Sequence, residues 1–259
     1  MHVQGHIFVV TGGASGLGQQ VTKSIIEQGG HVIIMDINST GANEMVESFG
    51  SDKAYSSGSV DVTSEEQVKD AIQNGLCHFK NNNEELFLVG AVICSGIVWP
   101  PQSIEGYGPN NQLTSYSQFK HVVTINLLGS YNVAQQVAQV IMNNKPLNQD
   151  GERGIIITTS SMLGLDGTLV GYGTSKAGVA GMTLPLAREL SNFGIRVMSI
   201  APGPFDTPLA RAIPGVEAPV SLFPKRYGQP SEFSDLVLHI INNSMLNGSV
   251  IRLDGALRG

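Results

Sequence analysis

Short apolar runs recur along the chain with little polar alternation: HIFVV (6–10), HVIIM (31–35), LFLVGAVI (86–93), GIIIT (154–158), IRVMSI (195–200) and SVIRL (249–253). A strand with one face in water alternates; a strand buried on both sides does not, and burial on both sides implies a parallel sheet covered by helices. Between the runs the apolar positions move to helical spacing, as at Leu17, Val21 and Ile25 in steps of four. This βα rhythm, uninterrupted by repeats or low-complexity linkers, predicts an α/β fold in one domain over residues 1–259. Two stretches break it. Residues 99–115 are turn chemistry throughout, and 202–226 carry six prolines without a period. Loops of that length inside a compact domain usually act as lids or binding loops. Both are expected at the rim of a site, with the substrate loop at about 203–226.

Composition narrows the class. Of 259 residues 41% are hydrophobic, 14% are charged and 31 are glycine, which suits a globular enzyme and not a disordered or fibrous chain. A net charge of −6 argues against a nucleic-acid partner, whose surface would need a basic stripe. The longest apolar run, 86–94, falls short of the roughly 18 residues a membrane span needs, so no membrane partner is expected. Two cysteines and six histidines make no recognisable metal or redox motif, and no secretory segment precedes the first strand. A reducing compartment, the cytoplasm first, is expected, and no metal.

Candidate chemistry begins directly after the first strand, where TGGASGLGQQVTKSII brings Gly12, Gly16 and Gly18 into a helix start. Such glycines let the backbone approach a pyrophosphate, which then sits on the free N–H groups at the helix N-terminus. Ser15 and Leu17 lie inside the loop and belong to the same cofactor-binding set. Asp36 ends the second strand eighteen residues beyond Gly18. A carboxylate there accepts the ribose hydroxyls of NAD and repels the 2′-phosphate of NADP, and no Arg or Lys follows it to reverse that preference. Asp61 and Val62 stand where a third strand would end. Thr63 or Ser64 with Glu66 or Gln67 offers a capping box, which leaves Asp61 to meet an adenine edge.

Farther along, TTSSMLGLDGTLVGYGTSK (158–176) places Tyr172 one helical turn before Lys176. A lysine ammonium close by favours the phenolate, which makes Tyr172 a candidate general acid/base. Its hydroxyl partner is one of Thr158, Thr159, Ser160 and Ser161. Alternation puts Thr159 and Ser161 on one face, and ligands collect beyond the carboxyl ends of strands, which favours Ser161 and keeps Thr159 as the alternative. Asn126 interrupts an apolar stripe that includes Val122, Val123 and Val133. Such an amide must find hydrogen bonds; it is satisfied by backbone, or it stands beside Lys176 holding a water that relays protons.

Together these motifs resemble the short-chain dehydrogenase/reductase family: T-G-x-x-x-G-x-G is Thr11–Gly18, the helix asparagine Asn126, Y-x-x-x-K Tyr172–Lys176, and P-G-x-x-x-T Pro202–Thr207. They span nearly the whole chain. The resemblance implies a doubly wound, Rossmann-type three-layer fold with a seven-stranded parallel sheet, a frequent homotetramer, and a Ser161–Tyr172–Lys176–Asn126 tetrad. It also implies that Pro202, Gly203, Phe205 and Thr207 hold the nicotinamide, while Tyr172 and Lys176 reach the ribose. The family's S-x-x-G-x-x-G fits Ser161, Gly164 and Gly167, yet Ser161 is eleven residues from Tyr172, two fewer than the family's usual separation, which Thr159 matches. We read a two-residue shortening between Gly167 and Tyr172. The family's N-N-A-G is replaced by Ile93-Cys94-Ser95-Gly96, so only Gly96 carries over and a bracing amide is missing; Cys94 reads as a small buried residue.

Within the family, MTLPLARELSNFGIRVMSIAPGPFDTPL and LNGSVIRLDGALRG are similar to members that oxidise 3-hydroxyacyl-CoA and hydroxysteroids. The resemblance therefore implies NAD-dependent interconversion of a secondary alcohol and a ketone on a hydrophobic alcohol or acyl-CoA. Arg211, Lys225 and Arg226 flank the apolar AIPGVEAPVSLFP, where cations could meet CoA phosphates. Two other readings remain: an NADPH-dependent 3-oxoacyl thioester reductase, disfavoured by Asp36, and a silent NAD-sensing scaffold, disfavoured by the intact Tyr–Lys pair. If the likeness extends to targeting, the mitochondrial matrix replaces the cytoplasm.

Overall fold

A computed structural model describes residues 1–82, 85–98, 114–211 and 221–258. Of the two long loops, 99–113 and 212–220 lie outside the described residues. Seven strands, β1 (Ile7–Thr11), β2 (His31–Asp36), β3 (Ala54–Ser59), β4 (Leu88–Ile93), β5 (Gly154–Thr159), β6 (Ile195–Pro202) and β7 (Val250–Leu253), form one sheet in the order β3-β2-β1-β4-β5-β6-β7. Every pairing is parallel. The doubly wound fold expected from the sequence is the fold observed.

Successive side chains on each inner strand serve opposite layers. Ile7 and Val9 of β1, with Ile33 and Met35 of β2, join Val68 and Ala71 of α3 (Glu65–Asn82), Val133 and Val137 of α5 (Gly129–Ile141) and Leu186 of α7 (Val170–Leu190). Phe8 and Val10, with Val32 and Ile34, join Val21 and Ile25 of α1 (Gly16–Glu27), Ala42 of α2 (Ser39–Phe49) and Val237 and Ile240 of α9 (Pro230–Asn242). Both faces are therefore apolar and the strands read as unbroken runs. Each such Val or Ile, fully buried, contributes about 1.5–3 kcal/mol. The edge strand β3, AYSSGS, buries only Ala54, so no apolar run announced it.

Three shorter elements complete the frame: α4 (Tyr116–Val123), α6 (Met162–Asp166) and α8 (Pro208–Arg211). Ser115 and Gln118 form a capping box that starts α4, and α4 runs through a π turn, Thr124–Leu128, directly into α5. Chain connections leave β1 toward β2 on one side and reach β4 on the other. That reversal, beyond the carboxyl ends of the strands, is the place where ligands bind in open α/β sheets. Among the described residues no helix is long and apolar enough to cross a membrane.

Candidate active site

The glycine loop lies at the reversal point. Gly12 and Gly16 have φ of +65° and +53°, the left-handed region that glycine enters without strain. Ser15, extended at the start of α1, makes no side-chain cap, which leaves the first N–H groups of the helix without that internal acceptor. A Cβ at Gly18 would run into the Gly12 carbonyl, so the helix approaches the loop as closely as glycine permits. A Cβ at Gly12 would stand 3.0 Å from the Ser95 nitrogen, and one at Gly16 3.4 Å from the Thr207 Cβ. The loop is thereby walled by the ends of β4 and β6, and its geometry fits a dinucleotide pyrophosphate. Leu17, in the first turn of α1, packs its side chain against the core, so its main chain is what it can offer a ligand.

Asp36 does two jobs at the end of β2. Its Oδ2 accepts from the Ala14 N–H at 3.0 Å and its Oδ1 from the Asn38 N–H at 2.9 Å. Each oxygen keeps a further lone pair for a ribose hydroxyl. Asp61 differs from expectation: its Oδ1 accepts from both the Thr63 N–H (2.9 Å) and the Thr63 hydroxyl (2.8 Å), so the carboxylate closes its own turn and is not free for adenine in full. Ser64 caps α3 by accepting from the Gln67 N–H at 3.3 Å, while the Gln67 side chain reaches past it to accept from the Asp61 N–H at 2.8 Å. Val62 is buried, and its carbonyl accepts from Asn132 Nδ2 at 2.8 Å.

The four hydroxyls beyond β5 have four different fates. Thr158 Oγ1 is buried with no hydrogen-bond partner among the described residues. Thr159 Oγ1 donates to the Cys94 sulfur at 3.5 Å, and Ser160 Oγ to the Lys176 carbonyl at 2.7 Å. Ser161, extended at φ −162°, caps α6 by accepting from the Leu163 N–H at 3.2 Å and stands beside the Tyr172 hydroxyl, whose ionised form it favours. The structure thus brings Ser161, not Thr159, to the tyrosine.

Lys176 is buried, and its Nζ donates to the Thr159 carbonyl at 2.7 Å. Its Nζ stands 5.9 Å from the centroid of the half-buried Tyr172 ring. Burial brings the ammonium down to about 8, with the nearby Cys94 acting weakly in the other direction. Burial also pushes the Tyr172 phenol above its ordinary value, and Ser161 pulls it back. This corrects the expectation of a lysine-lowered tyrosine: without a ligand, desolvation outweighs the cation, and the group that favours the phenolate is Ser161.

Asn126 lies in the π turn, a helical irregularity frequent at functional sites. It is fully buried: Nδ2 donates to the Ile97 carbonyl (2.9 Å) and to Ser175 Oγ (3.0 Å), and Oδ1 accepts from the Ile97 N–H (2.8 Å). A Cβ at Gly96 would stand 3.1 Å from Asn126 Oδ1 and 3.2 Å from Lys176 Nζ, so Gly96, Asn126 and Lys176 converge. Both amide donors are spent on protein partners, leaving one lone pair on Oδ1 for the expected water. Pro202 ends β6 opposite Leu253, the Gly203 N–H donates to the Leu253 carbonyl at 2.9 Å, and Phe205 turns its ring onto Phe233. The Phe205 ring is thus committed to the core.

The sequence model described as short chain dehydrogenase matches residues 6–216. The chain belongs to the short-chain dehydrogenase family. It is 40% identical to 3-hydroxyacyl-CoA dehydrogenase type-2 of Drosophila melanogaster, over 99% of this chain and 98% of that protein. It is 37% identical to ipsdienol dehydrogenase of Ips pini, over 99% of this chain and 98% of that protein. The crystal structure of 3-hydroxyacyl-CoA dehydrogenase type-2 from Mycobacterium avium superposes with a TM-score of 0.85 at 34% identity, covering 98% of this chain and 96% of that one. A short-chain dehydrogenase is an oxidoreductase that acts on a CH–OH group with a nicotinamide cofactor, and the glycine cradle fits such a cofactor.

This short-chain dehydrogenase replaces the family's missing asparagine amide by other bonds. Thr11 Oγ1 donates to Ser95 Oγ at 2.8 Å and accepts from the Ser95 N–H at 3.1 Å, tying β1 to β4, while Thr159 and Cys94 tie β4 to β5. Burial pushes the Cys94 thiol up to about 11, which keeps it protonated and inert. Sequence reasoning missed Ser95 and also Ser175, which donates to the Tyr172 carbonyl at 2.7 Å; the only available signal was the position of each beside a motif residue. The cation expectation is weakened. Arg211 pairs with Asp206, and Arg226 grips Glu232 with two bonds of 2.8 and 2.7 Å; the exposed Lys225 meets no such carboxylate clamp among the described residues. His2 and His6 stand four residues apart, but His6 Nδ1 meets the His2 carbonyl at 3.0 Å; the described residues hold no group of three metal-ligating side chains.

Proposed function

We propose that this chain is a single-domain, NAD-dependent dehydrogenase that interconverts an apolar secondary alcohol, 3-hydroxyacyl-CoA first, and its ketone. The observation that carries the reading is the placing of Ser161 beside the Tyr172 hydroxyl, one helical turn from the buried Lys176, which is anchored on the Thr159 carbonyl, at the same end of the sheet as the glycine loop and Asp36. Ser161 turns its single O–H to the substrate oxygen and orients it. Tyr172 Oη, as the phenolate that the Lys176 ammonium and a bound nicotinamide cation together would favour, takes the hydroxyl proton as the carbonyl forms. Lys176, anchored on the Thr159 carbonyl, holds a positive charge toward the ribose side. Bound nicotinamide supplies the acceptor for the hydride leaving the carbinol carbon. Asp36 selects NAD by accepting the two ribose hydroxyls.

The Drosophila and Mycobacterium relatives support a 3-hydroxyacyl-CoA substrate, and the ipsdienol relative supports a general preference for apolar alcohols. We further take the working assembly to be a homotetramer in the cytoplasm or mitochondrial matrix. The exposure of Tyr116, Leu128 and Tyr131 along the α4–α5 rod is consistent with helix faces that another subunit covers. A panel of 3-hydroxyacyl-CoA, hydroxysteroid and short secondary alcohols, each with NAD and NADP, tests the reading. Turnover of the acyl-CoA with NAD, lost in Tyr172→Phe, is expected. Undiminished turnover in Tyr172→Phe, or a preference for NADP, overturns it.

A further inference from the structure

The segment RLDGALR (252–258) carries two cations and a carboxylate around a tight turn, and the catalytic reading above makes no use of it. Its Arg252, at the end of β7, points its guanidinium back across the sheet edge to α6. Arg252 NH1 and NH2 donate to the two Asp166 oxygens at 2.7 and 2.8 Å, a fork-to-fork pair, while Nε donates to Asp254 at 2.5 Å. Asp166 and Asp254 are mostly buried, so these bonds are little exposed to solvent competition.

Asp166 is the last residue of α6, and Ser161 is the cap of its first turn. At five residues α6 is too short to hold its own shape. Its middle is pressed onto α7: a Cβ at Gly164 would stand 2.6 Å from the Ala177 nitrogen and 2.8 Å from the Lys176 carbonyl carbon. Arg252 therefore clamps one end of a one-turn clip whose other end carries the Ser161 hydroxyl. The same C-terminal turn receives the chain after the substrate loop, since the Gly255 carbonyl accepts from the Leu222 and Phe223 N–H groups at 3.0 and 3.2 Å.

We infer that Arg252, through its fork on Asp166, is a positioning residue that fixes α6 and so aims Ser161 at the reacting oxygen. The inference rests on the proposed role of Ser161. Loss of the clamp leaves the coenzyme cradle intact and lets the serine wander, and a displacement near 1 Å in a reacting group costs up to about a hundredfold in rate.

The test compares steady-state constants and melting temperature in the full-length protein for Arg252→Met, Arg252→Lys, the double variant Arg252→Met/Asp166→Asn, and Arg258→Ala, whose cation touches Asp254 without reaching α6. The double variant removes both charges, so no orphaned carboxylate prevents folding. It is expected to lose about ten- to a hundredfold in kcat with the KM for NAD within about twofold of wild type. Arg252→Lys, able to hold one Asp166 oxygen, falls between, and Arg258→Ala behaves as wild type. Wild-type kcat in the double variant, or a kcat loss matched by an equal loss of NAD affinity, overturns the inference while Ser161→Ala remains dead. Full turnover in Ser161→Ala would instead overturn the catalytic reading itself.

Discussion

Lys176 is the residue with most at stake in the ligand-free protein. Buried, it titrates near 8 in the folded chain and near 10.4 once unfolded. A lowered folded value means that protonation favours unfolding, so the lysine charge costs stability below about pH 8, and the cost fades as pH rises toward about 10.4. Lys176→Met is therefore expected to stabilise the cofactor-free protein at pH 7 by about 2 kcal/mol, after allowing for the lost bond to Thr159. Thermal melts across the alkaline range check this: the gap between variant and wild type should close near pH 10, and the variant should be inactive. The paired hydroxyls make a second test. Ser161→Ala is expected to lower kcat by about 100–1000-fold, whereas Thr159→Val, which removes only a donor to sulfur, should stay within a few-fold. Tyr172, Lys176 and the two candidate hydroxyls were legible because motif spacing is a local property. What the sequence could not show was that burial lowers Lys176 and raises Tyr172, since groups that converge on Lys176, Gly96 and Asn126 among them, lie 50 to 80 residues away.

At the scale of elements, the glycine loop was the most readable part of the chain, because its function requires a strand, a turn and a helix in immediate succession. Gly18 is its tightest point. Gly18→Ala must push the Gly12 carbonyl aside and is expected to weaken NADH binding at least about tenfold while costing about 1–3 kcal/mol in stability. A fluorescence titration of NADH beside a urea melt separates the two effects. Other elements hid themselves. The π turn at Thr124–Leu128 has the same apolar spacing as the helices it joins, so Asn126 looked like a polar intruder in a regular helix. β3 lacked an apolar run because it is an edge with one residue in the core. The bond between Thr11 and Ser95 was invisible because nothing in either residue's neighbourhood announces a partner 84 positions away.

In the whole molecule, the parallel sheet gathers at one end groups that lie far apart in the chain. Ligand binding to such a site should be felt globally. Saturating NAD, at about 100 times its Kd, is expected to add about 2.7 kcal/mol and raise the melting temperature by about 5–10 °C, with NADP far less effective at the same concentration. Differential scanning fluorimetry distinguishes the two coenzymes without a substrate. The order β3-β2-β1-β4-β5-β6-β7 has another consequence, one of inheritance. Gly12, Ser15, Gly16, Gly18, Asp36, Asp61 and Val62 all precede the crossover, whereas Asn126, Ser161, Tyr172 and Lys176 follow it. On the proposed function, adenosine preference and alcohol preference are thereby written on separate stretches of the gene. A chimaera that takes residues 1–62 from a relative with a basic residue in place of Asp36 would exchange one and keep the other, and recombination in nature meets the same seam.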